Sequence, residues 1–408
     1  MSRNVLLIAA AYYPSNAAGA HRPVKAAKYL PGYGWNPLVL CADWPRVQYP
    51  RRFDPELALE EDVCPTFRVS YTPRRSGRLG RAAGRAAMAA FPYSSPRGKL
   101  RAFLREAGRI IETAPIDLVW STYLPGYTHV VARDVSKRAG VPWVADFRDL
   151  PDQEGDSWVA RRSVKYEIDV CARASAFTTT SDTLARLLES RHDVPVHVVL
   201  NGFDPDDYES GVVPSSERFE ITHYGTLYEH RDPRPLFRAL DLMDERGDID
   251  LDRVVVEFHS QPESAIRDFA RGFRCERVVR ALGRIPYRTM LRRERESSVL
   301  LLLKAPAGGG AIPTKLLEYL GAGRPVLNIP GDGGEVDRIL SGTHGGVSAR
   351  TPEEIAEVLK TWYDEWRSTG APVCTSIPER VARYRRSEQT RRLADVFQSV
   401  LEGHDSSQ

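Results

Sequence analysis

The stretch Gly308-Gly309-Gly310-Ala311-Ile312-Pro313-Thr314-Lys315-Leu316-Leu317-Glu318 feeds a glycine-rich loop into a helical pattern. Thr314 is placed to cap that helix, and its first turn carries Lys315, with Glu318 three residues on and therefore on a neighbouring face. The positive end of a helix and an ammonium together stabilise a diphosphate leaving group, and a carboxylate accepts both hydroxyls of a ribose. From these residues alone an ordinary surface Lys–Glu pair reads equally well. A second stretch, Gly225-Thr226-Leu227-Tyr228-Glu229-His230-Arg231, combines a glycine that permits close approach with an arginine able to clamp a diphosphate through two parallel N–H bonds; a solvated turn is the other reading. In the third, Asp146-Phe147-Arg148-Asp149, a carboxylate at a strand end can accept a hydroxyl proton while Arg148 holds a phosphate or orients that carboxylate; an ion pair closing the strand is the alternative. The fourth is the loop from Tyr12 to Arg22, whose small residues, Gly19 among them, let an anion approach backbone N–H groups at a helix start. It is neither a GxGxxG fingerprint nor a Walker loop, so dehydrogenase and NTPase chemistry lack their main support.

The rest of the chain must position these groups. Its 408 residues are too many for one ordinary core and point to two domains. Hydrophobic residues at 42% and charged residues at 27% match a globular protein rather than a disordered or fibrous one. Apolar runs such as Val299 to Leu303 are strand-length, far short of the roughly 20 residues that span a bilayer. The start, Val5 to Ala11, reads as a first core strand and not a signal peptide, because Tyr12, Tyr13 and Pro14 follow without a cleavage site. Five scattered cysteines without CxxC spacing argue against a disulfide framework or a zinc site, and fit a reducing cytoplasm. A formal charge of +3 and the lack of a recognition motif speak against nucleic acid as a partner. Charge is concentrated between Arg74 and Arg109, where ten Lys or Arg face one acid, Glu106; contact with an anionic membrane through residues 74–109, on the inner face, is one reading of it and a solvated insertion the other.

Strands alternate with helices, the pattern of a parallel sheet covered on both faces. The spacing predicts a strand over Val5 to Ala10, a helix opening at Pro23, further strands over Pro37 to Leu40, Asp117 to Ser121, Val141 to Phe147 and Val196 to Leu200, and a helix over Ser163 to Ala174. Ser181 is placed to cap the next helix, and Thr351 with Glu354 to form a capping box before the helix of Trp362 and Trp366. After the turn cluster at Asn201-Gly202-Phe203-Asp204-Pro205 the alternation restarts, with strands over Ile221 to Tyr224, Val254 to His259 and Val299 to Leu303. The expected layout is α/β: two Rossmann-like, doubly wound parallel-sheet domains facing a central cleft, spanning 1–208 and 209–385, with a terminal helix at 386–408 packing back on the first.

Five segments in order resemble the GT-B glycosyltransferases, specifically the retaining family 4-like group: YYPSNAAGAHRPVKAAKYLPGYGWNPLVL, DLVWSTYLPGYTHVVARDVSKRAGVPWVADFRD, VHVVLNGFDPDDY, ITHYGTLYEHRDPRPLFRAL and IPTKLLEYLGAGRPVL. The resemblance covers most of residues 4 to 350, and the last motif is the most specific. It implies a hexosyl-type transferase with the acceptor on the N-terminal domain and a nucleotide sugar on the C-terminal one. Carried over by position, Gly19 lies near the donor phosphates, Arg231 and Lys315 neutralise the diphosphate, Glu318 binds the ribose, and Arg148 and Asp149 fall where relatives have His-Asp facing the reacting sugar. Gly225, Thr226, Gly309, Gly310 and Thr314 complete the donor set; His21, Arg22, Tyr123 and His129 are the acceptor-side candidates, the acceptor being a sugar, a lipid-linked sugar or a small molecule. Two departures stand out. Relatives often carry a Glu-x7-Glu pair, whose first acid is Gly310 here, and an Arg where this chain has Thr226. Asp204-Pro205-Asp206 spells the DxD metal signature of the other large glycosyltransferase fold but falls in an interdomain turn, and GT-B enzymes generally need neither metal nor cofactor. A sugar-nucleotide 2-epimerase shares the fold and is the enzymatic alternative; a catalytically silent relative that only binds a partner is the non-enzymatic one.

Overall fold

The computed structural model describes residues 2–44, 53–59, 62–70, 97–150, 158–227, 231–260, 262–304 and 312–406. Gly309, Gly310 and residues 74–96 of the basic segment lie outside them. The chain forms two compact units, Met1–Asn201 with Arg386–Gln408, and Gly202–Arg385.

In the first unit β1 (Arg3–Ala9), α1 (Ala18–Tyr29), β2 (Trp35–Ala42), β3 (Thr66–Val69), α2 (Arg97–Thr113), β4 (Leu118–Tyr123), α3 (Tyr127–Ala139), β5 (Trp143–Phe147), α4 (Trp158–Cys171), β6 (Ala176–Thr179), α5 (Asp182–Glu189) and β7 (Val196–Val198) follow in order. The strands lie side by side as β3-β2-β1-β4-β5-β6-β7, and every pairing is parallel. Helices on both faces of a parallel sheet leave no wet side, so strands such as VLLIA of β1 are apolar throughout.

The second unit repeats the plan with β8 (Phe219–Tyr224), α6 (Arg234–Arg246), β9 (Val254–His259), α7 (Glu263–Ala270), β10 (Val279–Leu282), α8 (Tyr287–Glu296), β11 (Val299–Leu303), α9 (Thr314–Ala322), β12 (Val326–Ile329), α10 (Glu335–Thr343), β13 (Gly346–Ser348), α11 (Pro352–Thr369) and α12 (Pro378–Ala382). Its strands run β10-β9-β8-β11-β12-β13, again all parallel. Two of the three expected caps form: Ser181 Oγ accepts from Leu184 N, and Thr351 Oγ1 from Glu354 N, while Glu354 Oε2 accepts from Arg350 N rather than from Thr351 N. α11 carries Trp362, Tyr363 and Trp366 into the core, with Tyr363 edge-on to Phe219 at 5.5 Å. The last helix, α13 (Arg386–Asp405), belongs to the first unit. It packs on α1, Phe397 meets Trp35 edge-on at 5.2 Å, and Gln389 Oε1 accepts from Leu200 N at 2.8 Å.

Three expectations are corrected. α1 starts at Ala18, so Pro23 sits inside the helix, where it lacks one backbone donor, and Gly19 in the first turn lies against the Arg148 guanidinium. α4 begins at Trp158 rather than Ser163. The domain boundary is at Asn201–Gly202 and not after Tyr208, because residues 203–208 fasten to the second unit: Phe203 N donates to Tyr384 O, and Tyr208 Oη donates to Glu318 O at 2.7 Å.

A Cβ at Gly321, on α9, would lie 2.5 Å from the Phe203 ring, closer than side chains pack. Gly321→Ala is therefore expected to destabilise the second unit by about 1–3 kcal/mol, read as a lower urea midpoint; an unchanged midpoint would mean that Phe203 is not seated against α9.

Candidate active site

Strand order reverses once in each sheet, at β1/β4 and at β8/β11, and helix N-termini and loops gather beyond the carboxyl ends of those strands. In the second unit the reversal point is flanked by the Gly225–Thr226 turn after β8 and by α9, which follows β11. Gly225 has φ +132°, open to glycine and strained for other residues. The helix is not capped by Thr314: Pro313 is the cap residue and makes no side-chain bond, and Thr314 is the first helical position. The N-terminal N–H groups of α9 are thus without a side-chain cap at the residue before the helix.

Lys315 stands in that first turn with its side chain 25% exposed, while Glu318 is 4% exposed. Lys315 Nζ lies 2.9 Å from Glu318 Oε2, 3.5 Å from Glu294 Oε1 of α8 and 2.7 Å from Met290 Sδ. Burial works against the ammonium, but Glu318 and Glu294 outweigh it and raise the Lys315 pKa, so the lysine stays charged. Burial pushes the Glu294 carboxyl up to about 8, with Lys315 opposing. Glu294 is wholly buried, and the sequence pattern, YRTMLRRERE, made it look like one more charge on a solvated helix.

Arg231 Nη1 donates to Thr226 O at 3.2 Å, tying it back to the β8 turn. His223, on β8, donates from Nδ1 to Leu301 O. Its pKa falls to about 4, first through burial, with the Leu301 bond opposing and the charges of Arg231 and Lys315 adding to the fall. Both cations therefore act on one buried ring beside the reversal point. Arg284, which the motifs did not single out, donates from Nη2 to Thr226 Oγ1 at 3.0 Å and brings a guanidinium to the β8 turn.

In the first unit the DFRD stretch is organised around Asp146 rather than Asp149. Asp146 is fully buried and receives Arg22 Nε and Nη2 (2.7 Å to Oδ1), Thr178 Oγ1 at 2.7 Å and Thr122 Oγ1 at 2.7 Å. Arg22 also donates to Leu200 O at 2.9 Å and is 5% exposed, so this acceptor-side candidate is instead the clamp that neutralises a core carboxylate. Arg148 Nε donates to the same Thr122 hydroxyl at 3.2 Å, its guanidinium resting on Gly19, and burial lowers its pKa against the opposing charges of Asp146 and Asp149. A Cβ at Gly19 would fall against that guanidinium, so a larger residue there would displace the end of the Arg148 side chain. Asp149 is half-buried. His21 is 6% exposed, with Nδ1 3.0 Å from Tyr13 Oη.

Tyr123 and His129 are corrections too. His129 has no exposed surface, its Nδ1 lies 2.7 Å from Ser121 Oγ, and it packs against Phe147 and Trp143; burial drops its pKa to about 3. Tyr123, 1% exposed, stacks on it at 5.9 Å. Both are core residues, and neither has the exposure that contact with an acceptor requires. Asp204 accepts from Asp206 N and caps the short turn Pro205–Asp207, which accounts locally for the DxD spelling.

Arg22→Ala strands a buried carboxylate and is expected to cost about 3–5 kcal/mol, seen as a lower denaturation midpoint of the first unit; a change below about 1 kcal/mol would show that the threonines suffice to hold Asp146.

Comparison with known proteins follows from this geometry. Residues 20–202 match the family model of the glycosyl transferase 4-like domain. No curated protein sequence matches the chain. Among solved structures, HepE from Anabaena in complex with UDP is similar at a TM-score of 0.65 and 16% identity, over 98% of this chain and 100% of that one. A glycosyltransferase from Rickettsia africae gives 0.64 and 12%, over 98% and 99%. A putative UDP-N-acetylglucosamine 2-epimerase from Listeria monocytogenes gives 0.55 and 10%, over 99% and 98%. Two parallel sheets of seven and six strands, the family match and these likenesses converge: the chain has the GT-B fold, and residues 20–202 of its first unit are similar to the glycosyl transferase 4-like domain.

Proposed function

We propose that the protein transfers a hexosyl group from a nucleoside-diphosphate sugar to an acceptor hydroxyl, with retention of configuration and without a metal. The observation that carries this reading is Lys315 beside Glu318 on the first turn of α9, at the reversal point of the second sheet. The lysine and the helix dipole meet the diphosphate, Arg231 adds a second cation, and Glu318 takes the ribose hydroxyls. HepE was solved with UDP, which supports a uridine nucleotide as the first candidate. Gly225, Thr226 and Thr314, together with Gly309 and Gly310 of the glycine-rich sequence, complete the donor set of this reading.

The transition state resembles an oxocarbenium ion leaving a diphosphate. Among the described residues no side chain of the site stands out as a covalent nucleophile, so in this reading rate comes from positioning the acceptor and from neutralising the departing charge. Arg148 and Asp149 at the end of β5 are the acceptor-side pair of this reading. Docking on an anionic bilayer is supported by Arg101, Arg105 and Arg109, exposed at i, i+4 and i+8 along α2; the acceptor is then lipid-linked, and a cytoplasmic, membrane-peripheral location follows.

The likeness to a 2-epimerase supports a second reading, in which the nucleotide sugar is converted with no acceptor present. Incubation of UDP-glucose, GDP-mannose and dTDP-glucose with the enzyme separates them. Transfer predicts consumption that depends on an added acceptor; epimerisation predicts a new nucleotide sugar without one. Lys315→Ala is expected to lower kcat of the folded protein by about 10²–10³ and also to lower the thermal midpoint, because it leaves Glu318 and Glu294 buried without their cation; wild-type turnover in the variant would remove Lys315 from the leaving-group site.

A further inference from the structure

The donor-site reading leaves one group unused. Glu294 is wholly buried beneath Lys315, neither of its carboxylate oxygens makes a hydrogen bond among the described residues, and its one close cation is the Lys315 ammonium, 3.5 Å away. Resting on that reading, we propose that Glu294 is the positioning residue of the donor site: as a neutral acid it braces the Lys315 ammonium without cancelling its charge, and as a carboxylate it takes that charge away from an incoming diphosphate.

Charge counting gives the reason. With Glu318 and Glu294 both ionised around one ammonium, the buried cluster carries a net negative charge, and a diphosphate entering it is repelled. With Glu294 protonated the cluster is neutral, and the ammonium can exchange Glu318 for phosphate oxygens. Burial places the Glu294 carboxyl at about 8, so this choice is made close to neutral pH. The neighbouring lysine, tyrosines and histidine are shifted away from that range. From α9, Lys315 is shifted upward and Tyr319 well upward; Tyr208 and Tyr224 are raised by burial and by Glu294; His223 lies near 4. Glu318 pairs with the same ammonium at 2.9 Å.

The sign follows from linkage. A bound dianion favours the protonated acid, so binding takes up a proton, and affinity is full below about pH 8 and declines above it. The probe is whichever of UDP, GDP and dTDP binds, because the last phosphate proton of a nucleotide is already lost near about pH 6. Calorimetry from about pH 7 to about pH 9.5, in two buffers of different ionisation enthalpy, is expected to show Kd rising by up to tenfold per pH unit above about 8, with a fractional proton taken up. Glu294→Gln, a permanently neutral isostere, is expected to flatten the profile and abolish the uptake. A flat wild-type profile without proton uptake overturns the proposal whether or not the variant folds, and so does a Gln variant that keeps the wild-type profile. Absence of nucleotide binding at every pH overturns the donor-site reading, and this inference with it.

Discussion

One ammonium facing two buried carboxylates organises the second unit. Lys315 is drawn to Glu318 and Glu294, and those two acids are sheltered at 4% and 0% exposure by aromatic neighbours such as Tyr319 and Tyr208. Burying charge is costly unless it is paired, so the helices that carry these residues have little freedom: α8 must present Glu294 inward, and α9 must begin where its first turn meets it. Tyr224 N at the end of β8 then donates to the Tyr319 hydroxyl oxygen, tying helix to strand at the reversal point. What makes the site chemically useful is the same feature that makes it expensive, a cation held ready at an uncapped helix N-terminus.

The first unit solves a similar problem in the opposite way. Asp146 at the end of β5 is saturated by Arg22 and two threonines, which leaves Arg148 and Asp149 as the polar groups at the same strand end. Thr122 joins the two halves of this arrangement, donating to Asp146 while accepting from Arg148. Rigidity there comes from a completed network, in which every member has its partner. A further ion-pair layer in the second unit works likewise: Glu257 on β9 meets Arg293 at 3.0 Å and His259 at 3.4 Å, and these partners pull its carboxyl down to about 2 despite burial.

How much of this was legible in the sequence depended on periodicity. The alternation of apolar runs with helical spacing gave the doubly wound plan, and the Lys315–Glu318 pair stood out because both acid and base fall on one helix, three residues apart. Pairings across the sheet were not legible: Arg22 and Asp146 are far apart in the chain, and no local rule links a residue of α1 to the end of β5. In the sequence His129 and Tyr123 are acceptor-side candidates, and only packing shows them to be core; a histidine behind a strand has no signature that separates it from one at a surface. Glu294 was hidden for the converse reason, since a helix rich in arginine and glutamate reads as solvated until the sheet is laid beside it.

The central claim is that the mouth of the second sheet is a nucleotide-sugar site anchored by Glu318 and Lys315. Calorimetric titration of UDP, GDP, dTDP and their sugar conjugates into wild-type protein and Glu318→Ala, with EDTA present, tests it most directly. The account predicts that one base binds to the wild type and that its affinity drops by about tenfold or more in the variant, in keeping with the loss of a charged hydrogen-bonding partner. Binding of no nucleotide to the wild type, or equal binding to both proteins, would contradict it.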